Sequence, residues 1–269
     1  MTYKLIALDI DGTIRSPEYE ISTRTRTAIN RVIEAGAVVT VATGRMFESA
    51  RMSTATLDLR SPIVSFQGAH VANPVTGELL WHMPLTGQQT IDALDALNGW
   101  SGDLAAYLND DVFVTKLTPW AKGYSERNHR DIQLVENLRT LASRRPTRLL
   151  AVGDPDEIFM LESRLNKQFN STLHITRSLP TFCEILHPDG GKHKALEWLC
   201  KHLGIDPRHT IAFGNGYNDV HMLEWAGTGV AVGNAVPEVL DIADRIAPPL
   251  EQDGTAQILE DLLENGKIG

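Results

Sequence analysis

The chain has 269 residues, enough for one large domain or two moderate ones. Its 34 acidic residues outnumber 25 basic ones, and the net charge of −9 excludes a general basic surface for nucleic acid, though not a local basic pocket. Two cysteines, Cys183 and Cys200, with no CxxC pair, exclude a disulfide scaffold and a structural zinc site.

Hydrophobic residues at 42% and charged residues at 22% are ordinary for a globular protein. The opening MTYKLIALDIDG lacks the pattern of a secretory signal, and no apolar stretch approaches the ~20 residues that span a bilayer. The expected setting is the cytoplasm, with neither membrane nor nucleic acid as partner.

The first predicted element is a short buried strand, Leu5 to Leu8. A helix follows, with Ser22 as N-cap, an apolar stripe of Ile21, Ile29, Val32 and Ile33, and Gly36 as stop. Ala37 to Ala42 reads as a second buried strand, Phe47 to Leu57 as a helix and Ile63 to Phe66 as a third strand. This alternation implies a parallel sheet with helical crossovers. Val71 to Asn73 and Leu79 to Trp81 flank Pro74 and Gly77, which predicts a hairpin.

From Met83 to Leu186 the pattern is mixed. Ile91 to Leu97 reads as a helix, and Ala105 to Leu108 with Val112 to Thr115 as a hairpin. Leu149 to Val152 reads as a strand. A helix from Asp154 through Gln168 turns Ile158, Leu161 and Leu165 inward, and His174 to Thr176 pairs with Phe182 to Leu186. Arg144, Arg145 and Arg148 read as a solvated basic face, and Trp100 and Trp120 as core packing.

After Gly190 and Gly191 the crossover rhythm returns. Ala195 to Leu203 is a predicted helix, Thr210 to Phe213 a strand, Asp219 to Ala226 a helix, Gly229 to Val232 a strand and Thr255 to Leu263 a helix. The expected fold is α/β: a doubly wound, Rossmann-like parallel-sheet domain, split in sequence by an inserted α/β domain.

Four short segments fall just past a predicted core strand or at the start of a core helix, where open parallel sheets bind ligands. In Asp9-Ile10-Asp11-Gly12-Thr13, two acids one residue apart can face one crevice if Gly12 turns the chain. One carboxylate can attack phosphorus while the other moves a proton. The glycine comes too early for an EF-hand loop. Thr43-Gly44-Arg45 offers a hydroxyl and backbone N–H groups to phosphate oxygens. In Gly190-Gly191-Lys192, the lysine can neutralise a phosphoryl group together with a carboxylate, and the segment lacks the earlier glycine of a Walker A loop. Gly214-Asn215-Gly216-Tyr217-Asn218-Asp219 has Asp219 where a GxGxxG fingerprint needs glycine, and its oxygen-bearing side chains suit a hard cation.

In this order, the segments resemble those of the haloacid dehalogenase superfamily, and of its Cof-type sugar-phosphatase branch in particular. The likeness runs almost end to end, through Gln67-Gly68-Ala69, Gly233-Asn234-Ala235 with Ala243-Asp244, and Asp253-Gly254. It implies a core of residues 1–82 and 187–269 and an inserted α/β cap of residues 83–186. It implies Asp9 as nucleophile, forming an aspartyl-phosphate, and Asp11 as general acid and then base. Thr43 and Lys192 would bind the transferring phosphoryl group. Gly12, Gly44, Arg45, Gln67, Gly68, Asn218, Asn234 and Glu184 would line the phosphate and substrate site, with His187 a weaker candidate. Mg²⁺ would be held by Asp9, the Asp11 carbonyl, Asn215 and Asp219.

The chain departs from the family where Asn215 replaces the usual aspartate, which removes a charge from the metal site, and where Gln67 replaces asparagine. His193 and Leu240 stand where glycine and lysine are common. The implied activity is Mg²⁺-dependent hydrolysis of a small phosphorylated metabolite. Sugar phosphates lead, ahead of nucleotide or vitamin phosphates, and the enzyme would be a monomer or homodimer. The alternatives are a phosphate-ligand binding protein weakened by Asn215, and a phosphomutase.

Overall fold

The computed structural model describes residues 2–128 and 130–269. The chain runs β1 (Leu5–Leu8), α1 (Thr23–Glu34), β2 (Val38–Val41), α2 (Phe47–Ser53), β3 (Ile63–Ser65), β4 (His70–Ala72) and β5 (Leu79–His82). Then come α3 (Gly87–Ala96), β6 (Asp103–Leu108), β7 (Asp111–Val114), α4 (Pro119–Asn128), β8 (Ile132–Leu134), β9 (Arg148–Val152), α5 (Pro155–Phe169), β10 (His174–Leu179) and β11 (Phe182–Leu186). It closes with α6 (Lys192–Leu203), β12 (Thr210–Gly214), α7 (Val220–Trp225), β13 (Thr228–Val232), α8 (Pro237–Ile242), β14 (Arg245–Ala247) and α9 (Gly254–Glu264).

The core sheet has the order β14-β13-β12-β1-β2, and every pair in it is parallel. The period-2 alternation of β1 assigns its two faces. Leu5 and Ala7 pack with Leu196, Leu199 and Met222 of α6 and α7. Ile6 and Leu8 pack with Ile29 and Val32 of α1 and with Leu259 and Leu262 of α9. All four side chains of β1 are fully buried, as a strand covered on both faces requires. The winding reverses between β1 and β12, and at such a switch point a crevice opens beyond the carboxyl ends of the strands.

Between β5 and α6 the chain builds a six-stranded sheet of order β10-β11-β9-β6-β7-β8, antiparallel except for the β7–β8 pair. One of its faces carries Ala106, Leu149, Ala151 and Ile185 against Ile158, Leu161 and Leu165 of α5. Burying each of those three helix side chains stabilises by about 1.5–3 kcal/mol. The other face, with Tyr107, Val112, Val114 and Leu150, packs with Phe47 and Phe66 of the core and Tyr124 of α4. This inserted α/β layer is the cap of the fold.

Capping follows the sequence. The Ser22 hydroxyl accepts from the N–H of Thr25, and Asp154, before Pro155, accepts from the N–H of Asp156. Several expectations need correction. The helix predicted to Leu57 ends at Ser53, and tighter turns continue from there to Leu57. β3 touches the parallel sheet through one bridge, Ala42 to Val64, and otherwise pairs with the hairpin β4–β5. The strand expected to reach Phe66 stops at Ser65, because Phe66 and Gln67 are left-handed, at φ 50° and 56°. Periodicity missed α4, β8, α8 and β14, which are short or, like α4 with Gly123, lack a clean apolar stripe.

Candidate active site

Asp9 is the first residue beyond β1, and its N–H extends the ladder to the carbonyl of Phe213 at 2.9 Å. Its side chain is buried, and so is Lys192 at the start of α6. The Lys192 ammonium donates to Asp9 Oδ1 and to Asp219 Oδ1, both at 2.6 Å. Asp219 Oδ2 accepts from the N–H groups of Asn215 and Gly216, both at 2.9 Å. Asp219 therefore ties the loop after β12 to Lys192 with both of its oxygens. Lys192 is no surface lysine. It is the ammonium that lets two carboxylates share a buried corner.

The electrostatics follow from that crowding. Burial pushes the Asp9 carboxyl up to about 7; Lys192 opposes the rise, and Asp219 adds to it. Burial alone would lower the Lys192 ammonium, but Asp219 and Asp9 outweigh it and hold the group above its usual range.

Gly12 sits at φ 88°, and a Cβ there would lie 2.3 Å from Asn215 Nδ2. The turn needs glycine both for its conformation and for the close approach of the two loops. Thr13 Oγ1 donates to Asn215 Oδ1 at 2.9 Å, which fixes the amide's orientation. Asp11, two residues beyond Asp9, points elsewhere. Arg45 Nε and Nη2 each donate to an Asp11 oxygen at 2.6 Å, while Arg45 Nη1 reaches Ser49 at 3.2 Å and Ser53 at 2.8 Å.

The buried Thr43 hydroxyl accepts from the N–H of Arg45 at 3.2 Å. Gln67 lies across the next turn: a Cβ on Gly44 would be 2.3 Å from its Nε2. Gln67 Nε2 donates to Glu184 Oε1 at 2.7 Å, and Asn218 Nδ2 donates to Gln67 Oε1 at 2.8 Å. Gly68 lets the same turn abut α6, since a Cβ there would be 2.2 Å from the carbonyl oxygen of Gly191.

One expectation fails here. Arg148, read as part of a solvated basic face, is 4% exposed. Its Nη1 donates to Glu184 Oε2 at 2.5 Å and to the carbonyl of Gly44 at 2.7 Å. Sequence reasoning missed it because the Arg-rich run before a strand looks solvent-facing. The usable signal was its place as the first residue of β9, two residues before Leu150, which Glu184 of the neighbouring strand β11 faces in register.

The remaining candidates are more peripheral. Asn234 donates to the carbonyl of Gly12 at 2.8 Å and accepts from the N–H of Leu250 at 2.9 Å, bracing the loop after β1. His187 accepts from the N–H of Asp189 within its own turn and does not join the site. Between cap and core lies a cavity of about 190 Å³, lined by Gln67, His174, Lys192, His193, Tyr217 and Asn218 among others. Burial pushes both His174 and His193 down to about 4, so both are neutral at pH 7. Trp120 packs against Tyr124 and Phe182, as its expected core role requires.

A family model described as haloacid dehalogenase-like hydrolase matches residues 6–259. An HMP-PP phosphatase of Cronobacter sakazakii is 30% identical over 249 residues, 88% of this chain and 86% of the relative. A 5-amino-6-(5-phospho-D-ribitylamino)uracil phosphatase of Bacillus subtilis is 30% identical over 263 residues, covering 96% of each chain. The crystal structure of a haloacid dehalogenase-like hydrolase from Bacteroides thetaiotaomicron superposes with a TM-score of 0.82 at 28% identity, over 97% of this chain and 100% of that one.

Proposed function

We propose that this chain, which belongs to the haloacid dehalogenase-like hydrolase family, hydrolyses the monophosphate ester of a small uncharged metabolite through attack by the Asp9 carboxylate. The observation that carries the reading is the buried Asp9–Lys192–Asp219 corner at the switch point of the sheet.

A free Asp9 oxygen attacks phosphorus, and the bond from phosphorus to the leaving oxygen breaks. Asp11 gives that oxygen a proton. Water then attacks phosphorus, Asp11 takes a proton from it, and the Asp9 carboxylate and inorganic phosphate are released. Lys192 and the Thr43 turn neutralise and orient the phosphoryl oxygens, which is most of what such a transfer asks of a protein. Arg45 holds both Asp11 oxygens in this structure, so the proton steps require that pair to part.

The residues fit a hard divalent cation, and we assign Mg²⁺. Three carboxylates (Asp9, Asp11, Asp219) meet two cationic side chains (Lys192, Arg45), which leaves one negative charge for a cation to offset, and Asp9 rises to about 7 chiefly through burial, with Asp219 and Asp11 adding to the rise. Asp9, the Asp11 main-chain carbonyl and the Asn215 side chain would hold the ion with oxygen donors. Asp219, with both oxygens engaged, would support the loop. When bound, the ion supplies the charge neutralisation that lets an anionic carboxylate approach an anionic phosphate.

The cavity favours the leaving group's class. Neutral His174 and His193, with Gln67, Tyr217 and Asn218, offer hydrogen-bond donors and acceptors without a free positive charge. A polyol or hydroxylated heterocycle suits such a lining better than a second phosphate does. The relatives named for HMP-PP and for a phosphoribitylamino-uracil mark the two ends of that choice, and the lining supports the monophosphate end. The test is phosphate release from p-nitrophenyl phosphate and from matched monophosphates, bisphosphates and diphosphates, with Mg²⁺, with a chelator, and with Asp9→Ala. Release confined to the diphosphates would overturn the substrate class, and release by Asp9→Ala would overturn the mechanism.

A further inference from the structure

We propose that Arg148 is a positioning residue for phosphoryl transfer: with Glu184 it holds the Thr43–Gly44 turn and Gln67 from the cap side, so that the phosphate-binding turn has its working shape only while the cap is seated. The inference rests on the phosphatase reading above and adds a residue of the cap to it.

The contacts form a closed ring. Arg148 Nη1 donates to the Gly44 carbonyl at 2.7 Å and to Glu184 Oε2 at 2.5 Å. Glu184 Oε1 accepts from Gln67 Nε2 at 2.7 Å, and the Gln67 N–H returns to the Thr43 carbonyl at 3.0 Å. The ring crosses between cap and core twice. Asn218, bonded to Gln67 Oε1, extends it to the loop that carries Asn215 and Asp219.

Each member is fixed by its surroundings. The Arg148 guanidinium lies over the Tyr107 ring at 4.1 Å and the Phe66 ring at 5.3 Å, which orients its plane. Side-chain exposures of 5% for Arg148 and 2% for Glu184 leave little room for another arrangement. Gln67 is held left-handed at φ 56°, a conformation a non-glycine residue keeps only when its neighbours impose it.

A buried ion pair is weak evidence for stability, because an apolar pair of similar volume would serve as well. Nor would a pair serving the cap alone need to reach into the core. The carbonyl that Arg148 binds belongs to the turn that presents the Thr43 hydroxyl and the Arg45 N–H. Displacements on the order of 1 Å in such positioning groups cost about a hundred-fold in rate.

The experiment compares Arg148→Lys, Arg148→Gln and the paired Arg148→Met/Glu184→Leu, which leaves no unpaired buried charge if a single variant fails to fold. Two readouts are taken: the dissociation constant for inorganic phosphate by calorimetry, and kcat and KM on the best substrate of the unmodified enzyme. Arg148→Gln and the paired variant should weaken phosphate binding about tenfold and lower kcat about ten- to a hundred-fold, with a smaller change in KM. Arg148→Lys should recover only part of this, since an ammonium lacks the planar group that stacks on Tyr107 and Phe66 and is oriented by them. A folded variant with a lowered Tm but unchanged phosphate affinity and kcat would overturn the proposal and leave hydrolysis standing. An unmodified chain that binds phosphate in an Arg148-dependent way, yet releases none from any ester, would overturn hydrolysis and leave Arg148 standing. A chain that does neither sinks both.

Discussion

Arg45 grips Asp11 by both carboxylate oxygens, each at 2.6 Å, in the planar two-point pairing that guanidinium and carboxylate favour. Asp9 and Asp11 are therefore neighbours in sequence with different electrostatic partners: Lys192 for the first, Arg45 for the second. Under the proposed mechanism the division lets one acid attack while the other is kept in reserve, and it separates what their loss should do.

Asp11→Asn should lower steady-state turnover of an alkyl phosphate by about 10²- to 10⁴-fold, the usual worth of a positioned acid–base group. With p-nitrophenyl phosphate, whose leaving group needs no proton, phosphate should still reach Asp9 and stall there. Intact mass spectrometry after rapid quenching would detect the added phosphoryl group. A variant turning over at the unmodified rate would remove Asp11 from the mechanism.

The pH response of Asp9 has a definite sign. Its folded-state value of about 7 lies above the ordinary 3.8, so the folded chain holds this proton more tightly than the unfolded one. The contribution to stability is complete below 3.8 and is lost as pH rises through about 7. Asp9→Asn should thus raise Tm relative to the unmodified protein at pH 8, and the gain should shrink towards pH 5. Activity should need the ionised form, and added Mg²⁺ should move the acid limb of kcat/KM to lower pH by favouring the anion. An acid limb insensitive to Mg²⁺ would show that the ion does not meet Asp9.

Asn215→Asp adds a negative charge beside Asp9 and Asp219. The Mg²⁺ concentration giving half-maximal activity should fall about tenfold, and the Tm increase on adding Mg²⁺ should grow in step. Identical Mg²⁺ titrations by both measures would mean that position 215 does not touch the ion.

Lys192→Met would strand two buried carboxylates without their shared ammonium. Removing one partner of a buried pair costs about 3–5 kcal/mol. Because the stranded Asp9 must ionise as pH rises, the loss of Tm should be smaller at pH 5 than at pH 8. Chemical denaturation at both values would measure it. A pH-independent loss would trace to packing of the lysine stem instead.

Much of the core was legible because its strands are short apolar runs covered on both faces, and because Ser22 and Asp154 cap where their residue types prefer to. The four segments met in space because each follows a strand or starts a helix of that core. What stayed hidden depends on partners distant in sequence. Nothing local in Arg148 announces Glu184 or the Gly44 carbonyl, and an arginine's burial is settled by tertiary contacts alone. The left-handed Phe66 and Gln67 were equally unreadable, since both are residue types that disfavour that conformation and hold it under constraint from packing.

The interior position of β1 has a consequence for biosynthesis. Leu5 to Leu8 leave the ribosome some two hundred residues ahead of one of their two flanking partners, Thr210 to Phe213. The six-stranded sheet of the cap draws all its strands from 103–186 and can close while the core still lacks β12, β13 and β14. The apolar first strand must wait through that interval with one edge open, and at 5–20 residues per second the wait lasts on the order of ten seconds or more. The nascent chain is thus most exposed to aggregation and to chaperones before β12 appears, and variants that slow elongation between β11 and β12 should lower yield without changing the finished protein.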